Sequence, residues 1–146
     1  MRLWHYALIP YLPKSQLLAQ WRELNSIFKK QDKHILINYI YEYPKEELWL
    51  YTCMVIAEME KRQFAIKHLE NLISYFKYTD ESYYIIIPNL YKVDFSAYHP
   101  FKYHHNFRYL QQCFYNLQEK FDRGQADFSQ QQYEALNELM KKEIPF

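Results

Sequence analysis

Glycine is almost missing from this chain, whose 146 residues include a single one, Gly124. Tight hairpin turns and the loops that wrap nucleotide phosphates both rely on glycine, because a residue without a Cβ adopts backbone conformations that others avoid. The composition therefore argues against sheets joined by tight turns and against the glycine-rich nucleotide-binding folds.

Cysteine is also scarce, and the two cysteines are far apart. Cys53 and Cys113 form neither a C-x-x-C pair nor a histidine and cysteine pattern with zinc spacing. We expect both to be buried, reduced thiols, and we expect no metal and no cofactor.

Long hydrophobic runs are absent as well. No segment approaches the roughly 20 consecutive apolar residues of a membrane span, and the first residues lack the pattern of a secretion signal. We expect a cytoplasmic protein that does not enter a membrane. The length predicts one domain, and we expect a monomer.

The formal net charge of +1 hides an uneven distribution of charge. Residues 1–34 carry six basic and two acidic side chains, whereas residues 112–146 carry four basic and six acidic ones. DNA responds to the local field of one protein face. A polyanionic partner such as DNA would therefore be bound through one face, for which the N-terminal part of the chain is the candidate, and its affinity would be sensitive to salt.

The spacing of apolar residues predicts an all-α fold, a compact single-domain helical bundle with an irregular excursion in the middle of the chain. After an extended lead that contains two prolines, Ser15 is placed to cap a first helix. The apolar stripe of this helix consists of Leu17, Trp21, Leu24 and Phe28. Glu23 lies on the other side, near Arg22 and Ser26, and can therefore face a cleft.

A long central helix is predicted from Lys45 to about Phe76, preceded by an extended or buried connector over residues 34–43. The elements predicted after it are an irregular segment over 77–103, a helix over 104–123 that stops at Gly124, and a final helix over 129–142.

The segment Leu17-Leu18-Ala19-Gln20-Trp21-Arg22-Glu23-Leu24, together with Met1-Arg2-Leu3-Trp4, carries a further signal. With Phe28 and Lys33-His34, it resembles in register the start of the pyrimidine-dimer DNA glycosylases typified by phage endonuclease V. The resemblance is specific over residues 17–34 and thin afterwards. It implies a DNA repair glycosylase with apurinic-site lyase activity, acting without a cofactor on pyrimidine dimers or related damage in double-stranded DNA.

In that family an α-amine at the chain terminus attacks C1′ of the damaged nucleotide, and a helix glutamate supports the proton transfers that cleave the strand. Carried onto this sequence, the catalytic residues are Met1 and Glu23. An α-amine suits this role because its ordinary pKa, about 8, leaves a useful neutral fraction at physiological pH. The resemblance and the basic character of the segment together predict these DNA contacts: Arg2, Arg22, Ser26, Lys30, Lys33 and His34.

Three departures from the family pattern bear on these roles. Arg2 is too large for efficient removal of the initiating methionine, so the nucleophilic amine belongs to a deformylated Met1. Ser26 stands where the phage-type enzymes have a basic residue, which weakens the expected DNA contact there. Residues 141–146 do not reproduce the segment that touches the dimer in the family, so dimer specificity is less well supported than lyase chemistry.

Two other functions fit the same sequence. One is a noncatalytic helical DNA-binding module on the same scaffold, which would not need the pair formed by Met1 and Glu23. The other is a lyase that acts on abasic or oxidised sites only, since recognition of the base depends on the divergent later residues.

Three histidines, His99, His104 and His105, have no role implied by the resemblance. Adjacent histidines on a helix point about 100° apart, and no carboxylate follows at the spacing that would complete a metal site. We expect one of them to line the DNA groove near a phosphate, and another to pack inside or to face water.

Overall fold

A computed structural model of the chain describes residues 2–76 and 87–143, and within these ranges it contains helices and turns without a β-strand. The α-helices in this part of the chain, α1 to α5, span Lys14–Lys30, Lys45–Lys61, Leu69–Phe76, Phe107–Asp122 and Gln130–Glu143. The 3-10 helices span Tyr6–Tyr11, Asn38–Glu42 and Ile87–Lys92. The predicted all-α fold is confirmed. Of the irregular segment predicted over 77–103, residues 77–86 lie outside the described residues, and the rest forms the third 3-10 helix and turns.

Helix α2 runs through the centre of the molecule. Every residue from Tyr51 to Met59 is buried, including Glu58, whose carboxylate is paired with Arg62. Helix α1 and all three 3-10 helices pack against α2, α1 also contacts α3, and α5 packs on α4 and on the first 3-10 helix. Burial of apolar surface between these elements is the main favourable contribution to folding.

The start of α1 is formed differently from the prediction. The predicted apolar stripe is buried, but the helix begins at Lys14 and Ser15 is not its N-cap. Asp127, from the connection between α4 and α5, accepts hydrogen bonds from Ser15 N (2.7 Å) and Ser15 Oγ (2.5 Å). A carboxylate at a helix N-terminus satisfies a free N–H and interacts favourably with the helix dipole. The cap is thus provided by a residue that is distant in sequence.

The lead before α1 was expected to be extended, and this expectation is wrong for residues Tyr6–Tyr11, which form a 3-10 helix. The His5 side chain caps it, because Nδ1 accepts a hydrogen bond from Ala7 N (3.1 Å). Pro10 is accommodated inside the short helix.

The long helix predicted from Lys45 to about Phe76 is broken in two, so this part of the prediction is wrong. A hydrogen bond from Phe64 N to Met59 O (2.9 Å) closes the end of α2. A second joins Gln63 N to Glu60 O (2.9 Å), with Gln63 in the left-handed conformation (φ 63°). These are the two bonds of a Schellman motif, in which glycine usually takes the left-handed position. Because glutamine replaces glycine here, no local signal indicates the break.

Arg62 stabilises this turn through one contact within α2 and two contacts that are distant in sequence. Its Nε donates to Glu58 Oε1 (3.0 Å), one turn earlier on α2. Its Nη1 and Nη2 donate to Leu12 O (2.7 Å) and Pro10 O (3.1 Å). The end of α2 is therefore bound to the segment that precedes α1.

The connector over residues 34–43 is a turn followed by the second 3-10 helix. The expectation of an extended segment is wrong, and the expectation of a buried connector holds only for Ile37 and Ile40, because most of the other residues in this range are exposed.

Helix α4 begins at Phe107, three residues later than predicted. Asn106 is its N-cap and accepts a hydrogen bond from Tyr109 N (3.0 Å). His104 and His105 consequently lie in the turn before the helix and not on it, which corrects the prediction.

The other helix ends agree with the sequence signals. Gly124, at φ 80°, follows α4 as its predicted stop. Ser129 and Gln132 bond reciprocally through side chain and backbone at the start of α5 (3.1 and 2.7 Å), which is a capping box.

Cys53 and Cys113 are buried free thiols, as predicted. Among the described residues, no set of three histidine, cysteine or acidic side chains comes together as a metal site. Each helix in those ranges is too short or too polar to cross a bilayer.

Replacing Asp127 with alanine is expected to lower the free energy of unfolding by about 1 kcal/mol at neutral pH, because Ser15 N at the start of α1 loses its acceptor. Partial burial raises the pKa of Asp127, but its hydrogen bonds from Ser15 outweigh burial and hold that pKa below the ordinary value. A carboxyl group whose pKa is lower in the folded than in the unfolded state stabilises the folded protein at pH values above its unfolded pKa, which is about 3.9. This contribution is lost as the pH falls through the folded pKa.

Urea titrations at pH 7 and near pH 3 check this. The difference in the free energy of unfolding between wild type and Asp127→Ala should be smaller at the lower pH. Asp122→Ala, which changes an exposed carboxylate at the end of α4, is the control and should show no such pH dependence. If Asp127→Ala lowered the free energy of unfolding by the same amount at both pH values, the prediction would be contradicted.

Candidate active site

Gln20, fully buried on α1, joins the first residues of the chain to Glu23. Its Oε1 accepts a hydrogen bond from Trp4 N (2.8 Å) and lies 2.8 Å from the Tyr51 hydroxyl. Its Nε2 donates to Arg2 O (3.1 Å) and to Glu23 Oε2 (2.9 Å). A carboxamide has two donor hydrogens, and Gln20 uses both of them, together with its acceptor oxygen, to hold Arg2 and Trp4 beside a carboxylate.

Two tyrosines from other helices fasten the same segment. The Tyr51 hydroxyl on α2 lies 2.6 Å from Trp4 O, and the Tyr109 hydroxyl on α4 donates to Leu3 O (2.5 Å). The side chains of Leu3 and Trp4 are buried in the core. The first described residues are therefore fixed by three helices at once. Met1, the predicted nucleophile, lies outside the described residues.

Glu23 is half-buried on α1, and within the described part of the chain it belongs to the lining of neither cavity reported below. Burial raises its pKa above the ordinary glutamate value, although a backbone hydrogen bond from Arg2, the Gln20 amide and the charge of Arg22 act in the opposite direction. A carboxyl group with a raised pKa exchanges its proton closer to neutral pH, which suits general acid–base chemistry.

A group of hydrogen-bonded side chains, those of His105, Tyr39 and Tyr109, also supports the N-terminal segment. Burial lowers the pKa of His105 well below its usual value, so the ring is neutral. Its Nδ1 accepts from Tyr6 N (3.2 Å), and Nε2 therefore carries the proton and donates to the Tyr39 hydroxyl (2.6 Å). The Tyr39 and Tyr109 side chains each influence the pKa of the other, and the Tyr109 hydroxyl donates to Leu3 O. The N-terminal segment is thus held at two points, since Tyr6 N donates to His105 and Leu3 O accepts from Tyr109.

The other two histidines are exposed. The Tyr6 hydroxyl lies 2.9 Å from His99 Nδ1, and the Tyr43 hydroxyl lies 2.6 Å from His104 Nδ1. Of the two roles expected for the histidines, packing inside is confirmed for His105. The phosphate contact stays a prediction.

A shallow groove of about 280 Å³ lies on the polar side of α1. Its lining residues are Trp21, Arg22, Asn25, Ser26, Lys29, Lys30 and His68. Three predicted DNA contacts, Arg22, Ser26 and Lys30, are thus brought together in one concave, positively charged surface. We call this surface the α1 groove.

The remaining predicted DNA contacts lie outside the lining of the α1 groove. The Arg2 guanidinium is half-buried, 5.9 Å from the centre of the Tyr109 ring and 4.0 Å from Cys113 Sγ. Lys33 and His34 are exposed in the turn that follows α1.

A larger cavity of about 860 Å³ lies between the first 3-10 helix, α2 and residues 91–99. Tyr6 and His105 contribute to its lining, so it borders the group of hydrogen-bonded side chains that supports the N-terminal segment. Glu23 does not belong to that lining within the described part of the chain.

Two residues of the site were missed in the sequence. Gln20 stands between Leu17 and Leu24 on the buried side of α1, and a polar side chain at such a position needs hydrogen-bond partners. That requirement is a signal that could have identified it. His68 reaches the α1 groove from the connection between α2 and α3, which was not predicted because the helix break was not.

Replacing Gln20 with leucine keeps the approximate volume of the side chain but leaves the buried Trp4 N–H and Arg2 carbonyl without partners. We expect the free energy of unfolding to fall by about 2 to 3 kcal/mol, measured by urea titration. Gln16→Leu is the matched control, one turn earlier on α1, where the side chain is half-buried and bonds to Gln125 (3.2 Å). Equal losses for both variants would contradict a special role for Gln20.

The comparisons with known proteins concern the same part of the molecule. A family model described as pyrimidine dimer DNA glycosylase matches residues 1–75, just over half of the chain. The matched range contains Arg2, Gln20 and Glu23, and the residues of the α1 groove. No curated protein and no solved structure matches the chain. With its N-terminal half matching throughout, the chain belongs to the pyrimidine dimer DNA glycosylase family, a family of DNA repair enzymes.

Proposed function

We propose that this protein is a DNA glycosylase with associated apurinic-site lyase activity on pyrimidine dimers or related damage. In this proposal the Met1 α-amine is the nucleophile and Glu23 is the acid–base residue. The observation that carries it is the Gln20 bridge, in which one amide bonds both Arg2 O and the Glu23 carboxylate. Arg2 directly follows Met1 in the sequence, so the bridge holds the neighbour of the proposed nucleophile beside this carboxylate.

The proposed chemistry balances without a cofactor. The Met1 nitrogen forms a bond to C1′ as the bond from C1′ to the base nitrogen breaks, and the base leaves with a proton. Opening of the C1′–O4′ bond gives an imine and a protonated O4′. Loss of a proton from C2′ then expels the phosphate oxygen from C3′, which cuts the strand.

Glu23 has two tasks in this sequence of steps. Its carboxylate stabilises the positive charge that develops on the sugar, and it carries protons between the sugar atoms. Its raised pKa supports the second task, because the carboxyl must both accept and release a proton during one turnover.

The α1 groove is proposed to hold the DNA backbone next to the reacting sugar. Arg22 and Lys30 would neutralise phosphates, and the Ser26 hydroxyl, which donates to Asp32 Oδ2 (3.3 Å) without DNA, would exchange that acceptor for a phosphate oxygen. Arg2, Lys33 and His34 are proposed as further contacts on either side of this groove.

The chemistry is tested by borohydride trapping on duplexes that carry either a cyclobutane dimer or an abasic site. A covalent adduct mapped by mass spectrometry to the Met1 nitrogen is expected with both substrates. Adding one residue before Met1 should abolish the adduct because it displaces the amine, whereas the same residue added at the C-terminus should not. An adduct with abasic DNA alone would support a lyase, and none with either would support a binding module.

Glu23→Gln is expected to lower strand cleavage by about 100-fold or more, since a positioned general acid–base commonly contributes that much. In wild type, the acidic limb of the pH–rate profile should lie above the ordinary range of a glutamate, because the pKa of Glu23 is raised. Glu46→Gln, an exposed change in the first turn of α2, is the control. Cleavage by Glu23→Gln at the wild-type rate would exclude the proposed role.

Binding through the α1 groove predicts a characteristic salt dependence. Arg22→Ala and Lys30→Ala should each reduce the slope of log K against log salt by about 1, because each removes one phosphate contact. Fluorescence anisotropy of labelled duplex over a range of salt measures the slope. Lys142 is an exposed lysine near the end of α5, and Lys142→Ala should leave the slope unchanged. Equal slopes for all three variants would argue against DNA binding in the α1 groove.

A further inference from the structure

The turn after α1 presents two aliphatic side chains to solvent. Ile35 is 79% exposed and Leu36 is 44% exposed, and Ile35 is the most exposed large hydrophobic residue in the described part of the chain. The next residue, Ile37, is fully buried. The turn is therefore anchored in the core on one side while its other side protrudes. We call Ile35 and Leu36 the apolar tip.

Hydrogen bonds hold the backbone of the apolar tip in place. The Asp32 carboxylate accepts from His34 N (3.0 Å), and His34 Nδ1 accepts from Leu36 N (3.2 Å). The His34 carbonyl accepts from Ile37 N (2.9 Å). The Tyr41 hydroxyl donates to Asp32 O (2.6 Å). An exposed apolar pair on a backbone with this many bonds is preorganised, so little conformational freedom is lost when it meets a partner.

The apolar tip continues the polar face of α1. Glu23, Ser26 and Lys30 share one face of that helix, because they are separated by three and four residues. The Ser26 hydroxyl reaches Asp32 Oδ2 (3.3 Å), which ties this face to the turn. Exposed lysines flank the tip at positions 29, 30 and 33. Positive charge at the sides and apolar surface between them complements a DNA duplex, whose phosphates are charged and whose base stack is apolar.

We propose that the apolar tip inserts between base pairs of the damaged duplex and unstacks one step beside the lesion. This inference rests on the function proposed above. Leucine and isoleucine are among the side chains that act as such wedges in proteins that kink DNA. Unstacking at a damaged site is easier than at an intact one, so the wedge would favour the bent form in which the reacting sugar becomes accessible.

The test uses cyclobutane-dimer duplexes with 2-aminopurine at successive positions, since the fluorescence of this base rises when it is unstacked. Wild type should raise the fluorescence several-fold at one or two adjacent positions on one side of the dimer. The double variant Ile35→Ser/Leu36→Ser should not show that rise in fluorescence. Its borohydride trapping on dimer duplex should fall about tenfold, as expected for a tenfold weaker affinity. Trapping of this variant on single-stranded abasic DNA should stay at the wild-type level.

Tyr115→Ser is the control, because Tyr115 is 58% exposed on α4, outside the turn. It should behave as wild type in both measurements, and thermal melts should show both variants folded. A fluorescence rise that survives in the double variant, or no rise with wild type at any position, would overturn the wedge. A loss of self-association by the double variant with unchanged fluorescence would also overturn it and assign the tip to a second copy of the chain.

The two proposals fail in different ways. If the amine chemistry is wrong, wild type gives no adduct with any substrate, but the 2-aminopurine signal, which needs binding alone, still reports on the wedge. If the wedge is wrong, adducts form with wild type and the double variant alike.

Discussion

The geometry of the candidate site depends on the carboxamide of Gln20. Burial of Leu3 and Trp4 supplies much of the driving force for docking the first residues, but apolar packing alone permits small shifts in register. The Gln20 amide does not permit such shifts, because any shift leaves a buried donor or acceptor without a partner. Since the same amide also bonds Glu23, the position of the chain start and the position of the carboxylate are set together.

The sequence predicts those parts of the fold in which the signal is local. The buried stripe of α1, the stop of α4 at Gly124 and the start of α5 near Ser129 all follow from residues within one or two turns. The parts that it does not predict depend on contacts distant in sequence. Asp127 caps α1, and Arg62 fastens the break after α2 to the segment before α1.

The scarcity of glycine makes these turns harder to identify. Among the described residues, non-glycine residues in the left-handed conformation are Gln31, Gln63, His68 and Phe101. Such a conformation costs an L-residue about 1 to 2 kcal/mol, so it persists where neighbouring contacts compensate for it. In this chain a left-handed turn is therefore a property of the tertiary structure, and local composition does not mark it.

The same distinction applies to the candidate site. Glu23, Arg22 and Lys30 could be predicted because they lie on one helix whose sequence resembles a known family. Gln20 requires knowledge of which backbone groups approach it, and His68 requires the turn at the end of α2. The hydrogen bond between Tyr39 and His105 and the one between Tyr109 and Leu3 each join residues from separate elements, so no single segment of the sequence contains them.

The anchoring of Leu3 by Tyr109 also sets an order of events during protein synthesis. The two residues are 106 positions apart, so the first residues leave the ribosome long before their partner on α4 has been made. Until α4 has been made, Leu3 and Trp4 have only the partners that α1 and α2 provide, and the hydrogen bond from Tyr109 completes their attachment afterwards.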